Sequence, residues 1–447
     1  MISLYALLVF IAAAEARYIF AHYMVGIVAS YTASEWFNDI LLAKNMGIDA
    51  FALNIGPSFL FSPLHHLIRA CIGKDYWNDQ QLGLAYSMAA QLGFKLFISF
   101  DFSYWNNGDV GAIASYMQRY GTLPAQLKVS ADGSGPGDRI FVSTFVGDGF
   151  SWRAVEAQAG LGLFACPFWQ PNSLANNSNA DCGFMWNAWP STNNQPIYAN
   201  KTTDDDAYYL QMLAGKPYMA PVSPWFFTHY AADTWNKNWL FYSDYLWQAR
   251  WEQILELQPP FAQILTWNDF GEANYIGPLH PNKKDVYAGA STGAVRWVTK
   301  ISHDAWRDIA KPYIAAYKAG ESTPTVTKEE FVFYYRPYPK DAQCSDPVPR
   351  PTGWQFVADA VFVVALLKTP GTVIITSGAN VPVSVEAQAG IHTYSAPMAL
   401  GKQRFQLVRG NVSVIDVAGP LQISTACNTY NFNAFVGAGF PPKGSVQ

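Results

Sequence analysis

Charge is what this sequence has least of. Asp, Glu, Lys and Arg make up 14% of its 447 residues, against roughly 25% in an average soluble domain. The formal net charge is −4, and no basic block stands out. The electrostatic footprint of a nucleic-acid or anionic-membrane partner is therefore missing. There is no CxxC pair and no histidine cluster, so neither a metal nor a cofactor is expected. A membrane span needs about 20 apolar residues, and no stretch reaches that length. The apolar run at the start, in "MISLYALLVFIAAAEARYIF", meets Glu15 and Arg17. It ends in small residues at Ala16 and reads as a secretory signal peptide, residues 1–16, although no Lys or Arg precedes it. A secreted, extracellular chain is the expectation.

Cysteine is scarce as well: Cys71, Cys166, Cys182, Cys344 and Cys427. Secretion would give these a structural use as disulfides. Nearness in the chain and shared domain membership pair Cys166 with Cys182 and Cys344 with Cys427, leaving Cys71 over. Asn176, Asn200 and Asn411 head N-x-S/T sequons, acceptors for glycans in a secreted protein.

Aromatic residues, by contrast, are abundant: 16% of the chain, with 16 Trp and 25 Tyr. Trp and Tyr suit partly wet, partly apolar surfaces. The chain can bury a large core. Eight continuous apolar runs fall at 18–28, 50–55, 95–100, 139–145, 162–169, 183–189, 218–227 and 262–267. Unbroken runs suit parallel strands covered on both faces. Helix-like stretches at 32–47, 79–93, 151–160, 238–257 and 303–320 separate or follow them, several ending in Gly. Eight strand–helix units predict an α/β fold, a (β/α)8 TIM-like barrel over residues 17–322. The sixth unit is the weakest, mostly loop before a short helix. A doubly wound sheet is the alternative, but no Gly-rich nucleotide fingerprint follows the first strand. Past Gly320, short runs split by Gly, Pro and Asn predict a C-terminal antiparallel β-sandwich over 323–447.

In such a barrel the site lies at the C-terminal ends of the strands. Those ends carry Tyr31, Asn54, Asp101, Asp148, Trp169, Trp186, Asn187, Trp189, Trp225, His229, Trp267, Asn268, Asp269, Glu272 and Tyr275. Indole faces cover the apolar faces of sugar rings, and acids and amides bind hydroxyls. Glycoside cleavage needs two carboxyl groups flanking the scissile bond. Asp269 and Glu272, in "WNDFGEANYIGP", can supply both from one loop. Extended, the loop leaves room for a water between them and implies inversion; helical, it brings them closer. The plainer reading makes Asp269 a turn former or helix cap and Glu272 a first-turn acid. Asp49 reads as structural, Asp79 as a helix cap, His22 as a core histidine and "TTDDDAYY" (202–209) as a solvated helix start.

The segments "FAHYMVGIVASYTASEWFNDILLAKNMGIDAFALNIG", "GFKLFISFDFS", "FVSTFVGDGF", "WNAWP", "YMAPVSPWFFTH", "WNDFGEANYIGP", "HDAWRDIAKPYIAAYKAG", "FYYRPYPKDA" and "YNFNAFVG" together resemble the fungal α-1,3-glucanases, or mutanases, of glycoside hydrolase family 71. The resemblance covers nearly the whole mature chain. It implies inverting, metal-free hydrolysis of α-1,3-glucan, a fungal cell-wall polymer. It implies Asp269 and Glu272 as the essential pair, with Glu272 assigned as acid and Asp269 as base, and Asp79 as a further important acid. Two positions depart from the family pattern: Asn274 stands where a histidine is usual, and Val146 where a glutamate is common. A glucan-binding protein without activity, or a glycosidase of another linkage, are the competing readings. A monomer is expected.

Overall fold

The computed structural model describes residues 16–57, 76–287 and 293–442. Most of the signal-peptide segment and Cys71 lie outside the described residues. Among those described, eight strands run parallel in one curled sheet: β1 (Tyr18–Met24), β2 (Ala50–Ile55), β3 (Lys95–Asp101), β4 (Arg139–Phe145), β5 (Leu163–Pro167), β6 (Gly183–Phe184), β7 (Tyr218–Val222) and β8 (Phe261–Ile264). Their lateral order is β6-β7-β8-β1-β2-β3-β4-β5. Register is continuous from Met219 opposite Phe261, to Tyr18 opposite Phe261, to Phe20 opposite Ala50. The two ends of this order, β5 and β6, meet at one parallel bridge, Phe168 to Phe184. The Cys166–Cys182 disulfide crosses that seam, where backbone pairing is thinnest. The mixed α/β fold is thus built on a curled parallel sheet.

The strands are mostly apolar because both faces are covered. Alternate residues of β1 point to opposite sides. Ile19, Ala21 and Tyr23 join the outer core under the helices, and Phe20 joins an inner cluster with Phe97, Phe141, Phe164 and Phe261. These phenyl rings interlock at centroid spacings of 4.7–5.9 Å and plug one end of the curled sheet. Further along the same inward face stand His22 and Met24, which border open space.

Helices α1 (Ala33–Met46), α2 (Asn78–Leu92), α3 (Val110–Tyr120), α4 (Trp152–Ala159), α5 (Asp204–Leu213), α6 (Leu246–Leu257) and α7 (Trp306–Ala319) accompany the strands. Thr32 caps α1 in a reciprocal box with Glu35. Gly47, Gly93, Gly160 and Gly320 end α1, α2, α4 and α7 at φ of +62° to +92°, a conformation a Cβ would strain. The stretch 238–257 departs from its expected single helix. Asn238–Leu240 pairs antiparallel with Phe227–His229 in a hairpin, and α6 begins only at Leu246. The helix start expected at 202–209 is there, with α5 opening at Asp204 and most of the stretch solvated, but Asp206 and Tyr209 depart from it as buried residues. Asp206 is fully buried, held bidentately by Arg250 at 2.6 and 2.8 Å and by the Tyr218 hydroxyl at 2.7 Å.

Beyond Gly320 lie two four-stranded antiparallel sheets. One contains β9 (Glu330–Tyr335), β10 (Ala360–Leu367), β13 (Gly390–Pro397) and β16 (Phe435–Gly439). The other contains β11 (Gly371–Ser377), β12 (Val383–Ala387), β14 (Gln403–Arg409) and β15 (Val412–Ala418). Phe331, Phe333 and Tyr335 of β9 share an apolar cluster with Val373, Phe405 and Leu407 of the second sheet. Val332 and Tyr334 face the opposite way, into the core under α7. Cys344 and Cys427 are bonded in this part of the chain.

Candidate active site

The open end of the curled sheet holds a cavity of about 560 Å³. Its walls come from the C-terminal ends of the strands. Asn54 stands on β2, Asp101 ends β3, Phe145 ends β4, Trp186 follows β6, and Asp269 and Glu272 follow β8. His22 and Met24 form part of the floor, and Tyr230, Trp235 and Lys237 reach in from the hairpin after β7.

The loop after β8 is neither extended nor helical. Ala273 N–H donates to Phe270 O at 3.3 Å, closing a turn with Ala273 at φ +52°. Asp269 Oδ1 accepts from Glu272 N at 3.0 Å, and Thr266 Oγ1 accepts from Asp269 N at 2.8 Å. Asp269 is therefore both a turn former and a residue of the cavity lining. Asn268 fixes the loop to β1 by exchanging hydrogen bonds with Met24. Asn274 is buried: its Oδ1 accepts from Thr266 Oγ1 at 2.8 Å and its amide faces Glu272 Oε2 at 3.4 Å.

The two acids differ in electrostatic setting. Burial, and then the neighbouring Glu272 charge, push Asp269 up to about 7 against the pull of Lys237. Glu272 Oε1 accepts from Lys237 Nζ at 2.9 Å, a contact suited to a carboxylate. Asp101 is raised by burial, while Ser103 and Asn54 donate to its carboxyl. His22 is held neutral, pushed down to about 3 by burial alone. Gln263 donates to its Nδ1 at 3.3 Å, and Nε2 has no hydrogen-bond partner among the described residues.

Of the residues expected to bind substrate, Asn54, Asp101 and Trp186 line the cavity. Trp186 packs edge-on against His22 and Phe145. The others lie outside its lining and do structural work. The Tyr31 hydroxyl bonds His280 Nε2 at 2.6 Å. Asp79 sits in the first turn of α2, paired with Arg119 at 2.9 Å on the surface. Trp169 and Trp267 are fully buried. Asn187 donates to Asp205 at 2.6 Å. Trp225 Nε1 donates to Phe432 O beneath the Arg336 guanidinium. Tyr275 stacks on His303 at 4.0 Å and donates to Ile301 O. His22, Tyr104, Trp77, Tyr230, Trp235 and Lys237 line the cavity and were not anticipated there. The inward alternation Phe20–His22–Met24 on β1 was the one readable signal for His22; the hairpin residues followed a segment read as strand and helix.

Two half-buried acids face one aromatic-lined cleft at the C-terminal end of the curled parallel sheet, an arrangement found in glycoside hydrolases. Comparison with known proteins gives the family: residues 15–66 and 68–446 match the model for glycosyl hydrolase family 71, and the chain belongs to that family. A mutanase of Penicillium rubens is 42% identical over 95% of this chain and 89% of its own length. A glucan endo-1,3-alpha-glucosidase of Schizosaccharomyces pombe is 34% identical over 94% of each chain. Among solved structures, a GH99 endo-alpha-mannosidase of Bacteroides thetaiotaomicron aligns at 12% identity, covering 65% of this chain and 80% of its own, with a TM-score of 0.43.

Proposed function

We propose that this protein hydrolyses the α-1,3-glucosidic bonds of fungal cell-wall α-1,3-glucan, in endo fashion and with inversion. The observation that carries the reading is the pair Asp269 and Glu272 facing one cavity, in a chain whose relatives bear the names mutanase and glucan endo-1,3-alpha-glucosidase. Asn54, Asp101 and Trp186 bind the sugar from the facing walls. The proposal includes a closed (β/α)8 barrel over residues 17–322 and a C-terminal β-sandwich over 323–447. The Phe168–Phe184 bridge supports closure, and the apolar cluster shared by the two C-terminal sheets supports the sandwich. It also includes secretion after removal of residues 1–16 and action as a monomer.

The electrostatic setting favours a division of labour opposite to the one assigned from the sequence. Asp269, raised to about 7, carries the proton for the leaving oxygen. Glu272, ion-paired with Lys237, is the base that activates water. Incubation with insoluble α-1,3-glucan tests the activity: wild type releases soluble sugar and Glu272→Gln does not. Capture of the polymer without release would instead favour a binding protein. Proton NMR of the first product tests inversion, which requires the β-anomer. An α-1,3-oligosaccharyl fluoride tests the roles, since its leaving group needs no proton: Asp269→Asn keeps turnover on it and Glu272→Gln loses it.

A further inference from the structure

Among the described residues the hairpin carrying Lys237 is not paired with β7; at its base Phe227 N–H donates to Glu272 O at 3.0 Å. Its two arms pair over Phe227–His229 and Asn238–Leu240, and Tyr230 N–H donates to Lys237 O at 2.6 Å. The outer side of that pairing is taken by a distant segment, the loop between β9 and β10. Thr352 N–H donates to Asn238 O, and Leu240 N–H donates to Thr352 O, each at 3.0 Å. Asn238 Nδ2 donates to Pro349 O at 2.7 Å. His229, on the facing arm, bonds Asn238 Oδ1 through Nδ1 at 2.7 Å and Asp346 Oδ2 through Nε2 at 2.9 Å. The side chains of His229 and Asp346 are wholly buried. Asp346 is fixed in turn by Arg296 at 3.2 Å and by the backbone N–H groups of Val348 and Tyr430.

We propose that the segment from Asp346 to Thr352, contributed by the C-terminal part of the chain, positions the active site by clamping the Lys237 hairpin against Glu272. This rests on the reading of Asp269 and Glu272 as the reacting acids. Lys237 is a long side chain, 41% exposed, and a lysine of that kind keeps most of its rotamer freedom unless its backbone is held. The clamp grips the residue next to it, Asn238, by main chain and side chain together. It fixes where the ammonium stands, and thereby the charge felt by the acid pair. Asp346 and His229 are positioning residues in this scheme; neither lines the cavity.

The readout is the alkaline limb of the pH–rate profile on α-1,3-glucan. Asp269 faces Glu272 from its own loop and Tyr230 and Lys237 from the hairpin. Asp101 at the end of β3 and Tyr104 just after it face the same ammonium. Lys237 is the cation of this set, so its loss raises the proton affinity of Asp269. Lys237→Met moves the alkaline limb upward by ~1 pH unit. Asp346→Asn and His229→Gln move it the same way by a smaller amount, and neither adds to Lys237→Met in a double variant. His229→Gln keeps an amide at the clamp and carries the test if Asp346→Asn does not fold. Folded clamp variants, verified by circular dichroism, with the wild-type profile would overturn the proposal. An inactive wild type would instead overturn the reading of the site.

Discussion

At the scale of residues, the two acids should be separable by more than loss of activity. Asp269→Asn and Glu272→Gln each lower turnover of α-1,3-glucan by roughly 10²–10⁴-fold, the usual worth of general acid or base catalysis, as read by reducing-sugar release. Asp269 also links stability to pH. Its folded-state value of about 7 lies above the ordinary 3.8, so the folded state binds the extra proton. Stability from this group is full below about pH 4 and is lost as pH rises to about 7. Asp269→Asn therefore raises the thermal midpoint most above pH 7, and the gain vanishes toward pH 4 in a melting series. His22 gives a different signature. It is neutral across the working range, and its Nε2 is free to meet a sugar hydroxyl in the cavity floor. His22→Ala raises KM, or lowers kcat, without moving either limb of the pH profile.

Elements reveal which sequence signals were strong. Helix ends such as Gly47 were legible because capping is local chemistry. The mostly apolar strands were legible because burial on both faces leaves little polar alternation. The stretch 238–257 misled because its aromatic run suits a helix, while pairing with Phe227–His229 and Thr352 decides otherwise. The weak sixth unit proved short, Gly183–Phe184, and the Cys166–Cys182 disulfide crosses its seam beside N–H bonds from Asp181 and Cys182 to Ala165 O. Cys182→Ser costs about 3 kcal/mol by loop-closure entropy, measured by urea unfolding. Arg250, on α6, joins α5 and β7 through Asp206 and Pro221 O. Arg250→Met leaves a buried carboxylate unpaired and costs about 3–5 kcal/mol in the same assay.

For the whole molecule, the parts before and after Gly320 share one apolar core. Tyr334 packs on Trp306 at 4.8 Å and donates to Asp244 O, and Arg336 pairs with Asp244 while covering Trp225. Trp225 and His229 were candidate site residues because they follow the seventh strand. The structure uses both to attach the C-terminal sheets. Calorimetry of the full chain should accordingly give one cooperative transition. A chain cut after residue 325 should be poorly soluble and should lose the near-UV circular dichroism of these aromatics.

The parallel strands, two acids in the loop after β8 and the family were legible in the sequence; the pairings Cys166–Cys182 and Cys344–Cys427, expected from nearness and shared domain, are the ones the structure forms. Each is carried by local pattern or by an ordered set of motifs along the chain. Which aromatics line the cavity, which acid is held beside a cation, and which distant loop holds that cation were decided only in three dimensions. Lys237, Asp346 and Glu272 are brought together across more than a hundred residues of chain, and no local preference encodes a contact of that range. Burial is likewise a property of the assembled core. It raises Asp269 and keeps His22 neutral, and neither can be read before the surrounding walls are in place.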